Sequence, residues 1–174
     1  MGETGPVGGS TELRRFADDG RIPNNPSLPL VIYRLALPKS QHLAKDFEAK
    51  FAANGWRNSW RNGVFDYHHY HSNTHEVLGV ATGEARVCFG GEQGEVLALA
   101  AGDVAILPAG TGHKCEWASD DFLVVGAYPE GRDYDICRGD PAEHDRAVAR
   151  IAGVPLPKKD PVFGRDGVVV WQAR

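Results

Sequence analysis

The chain has 174 residues, 42% hydrophobic and 24% charged, with a formal charge of −4. That length and balance fit one soluble domain with a single core. No basic run exceeds two residues and no apolar run approaches a membrane span, so nucleic acid and membrane are both excluded as partners.

The first residues, MGETGPVGGSTE, show neither an apolar period nor the basic and apolar regions of a signal peptide. They predict a disordered tail over 1–15, a single domain over 16–174 with N- and C-terminal extensions, and a cytoplasmic location. Cys88, Cys115 and Cys137 are odd in number and share no C-x-x-C spacing, which predicts three free, mostly buried thiols. The stretch 20–29, GRIPNNPSLP, is too rich in proline for a helix. Leu30 to Leu37 is apolar and β-branched and predicts a strand. Ser40 to Asn54 predicts a helix, with Ser40 as N-cap, Gly55 at C′, and Leu43, Phe47 and Phe51 as one apolar stripe.

From Val64 onward the pattern becomes short strands punctuated by turn residues, at about 64–71, 75–82, 84–89, 95–99, 103–107, 113–117 and 121–128. Many short antiparallel strands make a sandwich or barrel, with the jelly roll as one solution. Asp140-Pro141-Ala142-Glu143 has the form of a capping box and predicts a helix over 141–152 that stops at Gly153. The tail that follows, PLPKKDPVFGRDGVVVWQ, is expected to pack as an arm on its own barrel or on a partner.

Two of these stretches carry chemistry. The first, Gly63 to Gly83, holds His69 and His71 two apart and Glu76 five further on. Residues two apart on a strand point the same way, so the two imidazoles can aim at one point, and Glu76 can return to it from the neighbouring strand. The second, Gly102 to His113, adds a third imidazole. Three imidazoles and a carboxylate form a mixed N/O site for a divalent first-row metal such as Fe, Zn, Ni or Mn. His68 and His75 each adjoin a ligand and, by strand parity, face away. An inward His75 would also turn Leu78 and Val80 out of the core.

The same parity predicts the pocket. Phe65 and Tyr67 accompany His69 and His71, Leu78 follows Glu76, and Cys115 and Trp117 follow His113. On the last strand either Phe122, Val124, Gly126 and Tyr128 or Leu123, Val125 and Ala127 face in. Such a pocket is largely apolar and aromatic, with Tyr67 as a candidate catalytic acid or hydrogen-bond donor. No G-x-S-x-G elbow or phosphate-cradling glycine loop is present. A Cys115–His113 dyad fails if His113 binds metal.

Gly63–Gly83 matches every fixed position of the cupin motif G-x5-H-x-H-x4-E-x6-G. Gly102–Trp117 resembles the second motif, G-x5-P-x-G-x2-H-x3-N, except that Trp117 replaces the final Asn. The flanking words PNNPSLPLVIYR, SWRNGVFDYHHYHS and LPAGTGHK resemble the YjlB-type cupins, a small bacterial group. The resemblance implies an all-β double-stranded β-helix (jelly-roll barrel), a metal held by His69, His71, Glu76 and His113, and a homodimer. The strand at 30–37 and the apolar run at 167–171, extra to an eight-stranded barrel, lend the dimer support. A family of such varied chemistry fixes no reaction. A small-molecule metalloenzyme of the dioxygenase type is the expectation. A metal-dependent binder or sensor comes next, and then a sugar-type isomerase, which would want a more polar pocket.

Overall fold

The computed structural model describes residues 9–172. Among the described residues nine strands form two antiparallel sheets, accompanied by three helices. The larger sheet runs in the order β1 (Thr11–Arg14), β2 (Leu30–Tyr33), β7 (Val104–Leu107), β4 (Glu76–Thr82), β9 (Leu123–Pro129) and β3 (Trp56–Asn62). The smaller sheet is β6 (Glu95–Ala100), β5 (Glu84–Phe89) and β8 (His113–Ala118). The fold is the double-stranded β-helix that the cupin resemblance implies, one of the solutions open to the strand pattern.

Burial explains why the two sheets read differently in sequence. The small sheet is covered on one face only, so β5 alternates: Ala85 and Val87 are buried between exposed Glu84 and Arg86. The larger sheet is covered on both faces. Toward the smaller sheet it buries Leu30, Ile32, Leu78, Val80, Ala105, Leu107 and Val124. Its other face packs Val31, Tyr33, Val77, Ile106, Val125 and Ala127 against helix α1 (Leu43–Ala53) and the C-terminal arm. Hence β2 and β7 are buried at every residue and carry unbroken apolar runs.

Several boundaries differ from expectation. Residues 11–14 of the expected tail form β1, paired with β2 from Thr11↔Tyr33 to Arg14↔Leu30. Its charges hold it there: Arg34 bonds Glu12 at 2.5 Å and Asp103 at 3.0 Å, and Arg14 reaches Glu95 at 3.1 Å. Residues 1–8 of that tail lie outside the described residues. Helix α1 starts at Leu43 behind His42. Ser40 does not cap it; its Oγ accepts the His42 N–H and donates to Asp46. Gly55 takes the expected left-handed C′ conformation, at φ 82°.

Helix α2 (His144–Ala152) begins three residues later than predicted. Half of the box forms: the Asp140 N–H donates to the Glu143 carboxylate at 3.3 Å, while the Asp140 carboxylate accepts the Ala142 N–H, at 2.9 Å, in place of the Glu143 N–H. It closes turns ahead of the helix rather than the helix itself. The apolar C-terminal run lies in α3 (Arg165–Gln172) on its own barrel, where Trp171 is buried and donates to Pro29 O at 3.1 Å. All three cysteines are free. Among the described residues no helix is long and apolar enough to cross a membrane.

Candidate metal centre

Backbone pairing brings the two motif stretches together. His69 and His113 form an isolated antiparallel bridge, with N–H···O contacts of 3.2 and 2.9 Å in the two directions. The Gly110 N–H donates to His71 O at 2.7 Å. Gly110 sits at φ 93°, and a Cβ there would lie 2.6 Å from Asn24 O, so this turn requires glycine. The expected strand over 64–71 shrinks to bridging residues His69 and Tyr70. Glu76 enters as the first residue of β4, opposite Leu107.

The structure gathers His69, His71 and His113, with one ring nitrogen of each lying within 4.8 Å of the others. Glu76 joins them: Oε2 is 3.2 Å from His71 Nε2 and Oε1 is 3.3 Å from His113 Nε2. All four side chains are buried. Each imidazole turns its Nδ1 to a backbone carbonyl: His69 to Tyr67 O at 3.0 Å, His71 to Asp135 O at 2.5 Å, and His113 to Thr111 O at 3.0 Å. A carbonyl only accepts, so the proton sits on Nδ1 and the Nε2 lone pair faces inward. Three lone pairs then meet a carboxylate. Glu76 Oε1 is buried with no hydrogen-bond donor, despite its nearness to His113.

Acceptors facing acceptors repel unless a cation lies among them, and this donor set fits a divalent first-row ion. Burial pushes the Glu76 carboxyl up, but His71 and His113 outweigh it and hold the group well below the usual carboxylate range. Burial likewise pushes the His71 imidazole down, but the Glu76 carboxylate outweighs it and raises the group, so the site attracts a positive charge, which a metal ion would supply in place of a proton. Burial, aided by His113, pushes the His69 imidazole down to about 3, which keeps it neutral.

The surroundings fix this geometry. Asp135 presents its carbonyl to His71, and its carboxylate accepts both the Ser72 N–H, at 2.7 Å, and the Ser72 hydroxyl. Arg150 of α2 donates to Ser72 Oγ at 2.8 Å. His75 points away from the centre. Its Nδ1 accepts the Ala109 N–H at 2.9 Å, its Nε2 contacts Pro155 O at 3.1 Å, and Trp171 packs edge-on against its ring. His75 is therefore absent from the ligand cluster.

A cavity of about 170 Å³ stands over the four side chains. Leu78 and Tyr128 line it from their strands, Phe65 lines it from the loop that replaces the expected strand, and the first of the two registers for β9 is the one adopted. Tyr67, Cys115 and Trp117 do not line it. Tyr67 stacks on Phe65 at 5.0 Å beneath the Arg138 guanidinium, so no catalytic role for its hydroxyl at this centre follows. Cys115 packs into the core between the sheets. Trp117 is 51% exposed. The cause is an irregularity in β8: Cys115 pairs with Val87, but Trp117 pairs with the adjacent Arg86. The extra residue, Glu116, reverses the alternation and turns Trp117 out.

Trp60 and Tyr134 complete the wall and were not among the predicted residues. Trp60 lies over Gly126, where a Cβ would be 2.3 Å from the indole. Gly126→Ala should therefore displace Trp60 at a cost of about 1–3 kcal/mol from overpacking. Denaturant unfolding combined with indole fluorescence would register both effects. Tyr134 follows β9 on a loop and stacks on Tyr128 at 4.6 Å.

Similarity to a known protein family agrees with this architecture. The cupin domain model matches residues 61–125. A Bacillus subtilis (strain 168) protein described as uncharacterized protein YjlB is 48% identical over 155 residues, covering 89% of this chain and 92% of that protein. Among solved structures, the WlaRB TDP-quinovose 3,4-ketoisomerase of Campylobacter jejuni is similar at 14% identity and a TM-score of 0.42, over 53% of this chain and 75% of that one. Oxalate decarboxylase of Bacillus subtilis is similar at 22% identity and a TM-score of 0.39, over 68% of this chain and 29% of that one.

Proposed function

The chain belongs to the cupin superfamily, as a relative of YjlB, and from that premise we propose that it is a small-molecule metalloenzyme, an oxidoreductase of the dioxygenase type. One observation carries the reading: three imidazole lone pairs and an orphaned carboxylate oxygen converge on the floor of an apolar pocket. A divalent ion on His69, His71, Glu76 and His113, with Fe(II) favoured over Zn, Ni or Mn, would supply Lewis acidity and redox chemistry at its remaining positions.

The chain's own residues set the rest. Backbone carbonyls fix the three rings as neutral donors aimed inward. Trp60, Val64, Phe65, Leu78 and Tyr134 form walls that accept an apolar or planar substrate face. Arg61, at the rim, is committed to Glu48 through bonds of 3.0 and 2.7 Å, so it offers little to an anion. A cavity of about 170 Å³ admits a substrate of few heavy atoms. Because the walls are poor in polar groups, a sugar-type isomerase is a less suitable reading.

The test is oxygen uptake by protein purified without chelator or affinity nickel and reconstituted with Fe(II). Substrate-dependent uptake is expected, reduced by about 100-fold or more in His113→Ala, since loss of a ligand should cost at least as much as loss of a ligand's hydrogen-bond partner. Tight, metal-dependent ligand binding with no turnover on any metal would replace the enzyme with a binder or sensor.

A further inference from the structure

Two aromatic donors in series hold the Glu76 carboxylate from one side. The Tyr128 hydroxyl lies 2.8 Å from Glu76 Oε2, and Trp60 Nε1 lies 2.8 Å from that same hydroxyl. An indole nitrogen only donates and a carboxylate only accepts. The Trp60 N–H therefore occupies the acceptor side of the hydroxyl, and the single Tyr128 proton is directed onto Glu76 Oε2. We infer that Tyr128, oriented by Trp60, is a positioning residue that makes Glu76 present one oxygen, Oε1, to a cation held by His69, His71 and His113.

The two carboxylate oxygens differ as this requires. Oε2 has the Tyr128 donor, with His71 Nε2 at 3.2 Å, whereas Oε1 is buried without a donor. The chain of donors has little room to relax. Tyr128 is fully buried and stacked on Tyr134 at 4.6 Å, and Trp60 is seated over Gly126, where a Cβ would collide with the indole at 2.3 Å. A carboxylate bound through one oxygen occupies one position on a metal, and one bound through both occupies two. The Trp60–Tyr128 pair thereby sets how many positions remain for substrate. The inference rests on the metal-centre reading above.

Cobalt(II) tests it without reference to activity, because its visible bands weaken as coordination number rises. In wild-type protein the cobalt band and dissociation constant define the reference. Tyr128→Phe keeps the ring and frees Oε2; the band should weaken as both oxygens bind, and affinity should fall by about 10-fold or more. Trp60→Phe keeps the hydroxyl but removes the group that aims it, and should move the spectrum in the same direction by less. It also carries the test if Tyr128→Phe fails to fold. Spectra superimposable on wild type in the folded variants would overturn the inference while leaving the metal centre intact. Loss of affinity in Tyr128→Phe with an unchanged band would reduce Tyr128 to a packing residue and overturn it equally. A wild-type protein that binds no cobalt would sink both the centre and the inference.

Discussion

Glu76→Ala should empty the metal centre, whereas His75→Ala should leave it loaded. The two residues are adjacent on entry to β4 and both are buried, so burial alone does not separate them. Their directions do. Glu76 places its oxygens 3.2 and 3.3 Å from His71 and His113, while His75 is bonded to Ala109 N–H and Pro155 O on the other face. Removing Glu76 deletes the carboxylate of the proposed ligand set and should lower metal affinity by more than the 10–100-fold typical of a lost ligand partner. Removing His75 leaves the Ala109 N–H unsatisfied and a gap beside Trp171, a stability cost of about 2–4 kcal/mol with little effect on occupancy. Metal analysis of the two purified variants, each with a melting temperature, checks both halves. An empty His75→Ala beside a loaded Glu76→Ala would mean that the register of β4 is off by one residue.

How far the sequence could carry such statements depended on what physically fixes each residue. His69, His71, Glu76 and His113 were legible because period-two alternation and glycine-bounded turns determine which way they point. The wall of the pocket was only half legible. Trp117 obeyed the alternation on paper, but the irregularity at Glu116 reversed it, and the sequence HKCEWA carries no mark of an added residue. Strand β3, WRNSWRN, was missed because it is an edge strand with mostly exposed side chains, and so shows no apolar alternation. Trp60 was lost with it. One signal was available: Gly126 interrupts the apolar strand LVVGAYP, and a glycine inside a strand marks the close approach of another group. Tyr134 lies on a loop, where no periodicity exists to read. The terminal strand β1 was hidden because its short sequence, TELR, is held by ion pairs with distant Arg34 and Glu95 rather than by apolar packing.

Phe47→Ala should be the most destabilising single change of the scaffold, at about 3–5 kcal/mol, because it removes a fully buried aromatic ring. Phe47 is the middle of the α1 stripe Leu43–Phe47–Phe51, and its ring stacks on Phe51 at 5.4 Å. It also presses directly on β4: a Cβ at Gly79 would lie 2.8–2.9 Å from the ring atoms. Gly79 thus lets the helix come closer to the sheet than any side chain there would permit. Truncation to Ala leaves a cavity between the helix and a bare glycine, and neither neighbour has atoms with which to fill it. Collapse of α1 toward the gap would have to drag β4, which is paired on both sides, with β7 and β9. The cost should therefore lie toward the upper end of the range. Because β4 begins at Glu76, the damage should also reach the metal centre, as a loss of occupancy that tracks unfolding rather than a specific loss of affinity. Urea unfolding of the metal-free protein isolates the scaffold term. A loss below about 1.5 kcal/mol, typical of a volume-conserving swap, would mean that α1 can settle onto the sheet and that the Phe47–Gly79 contact does not hold it in place.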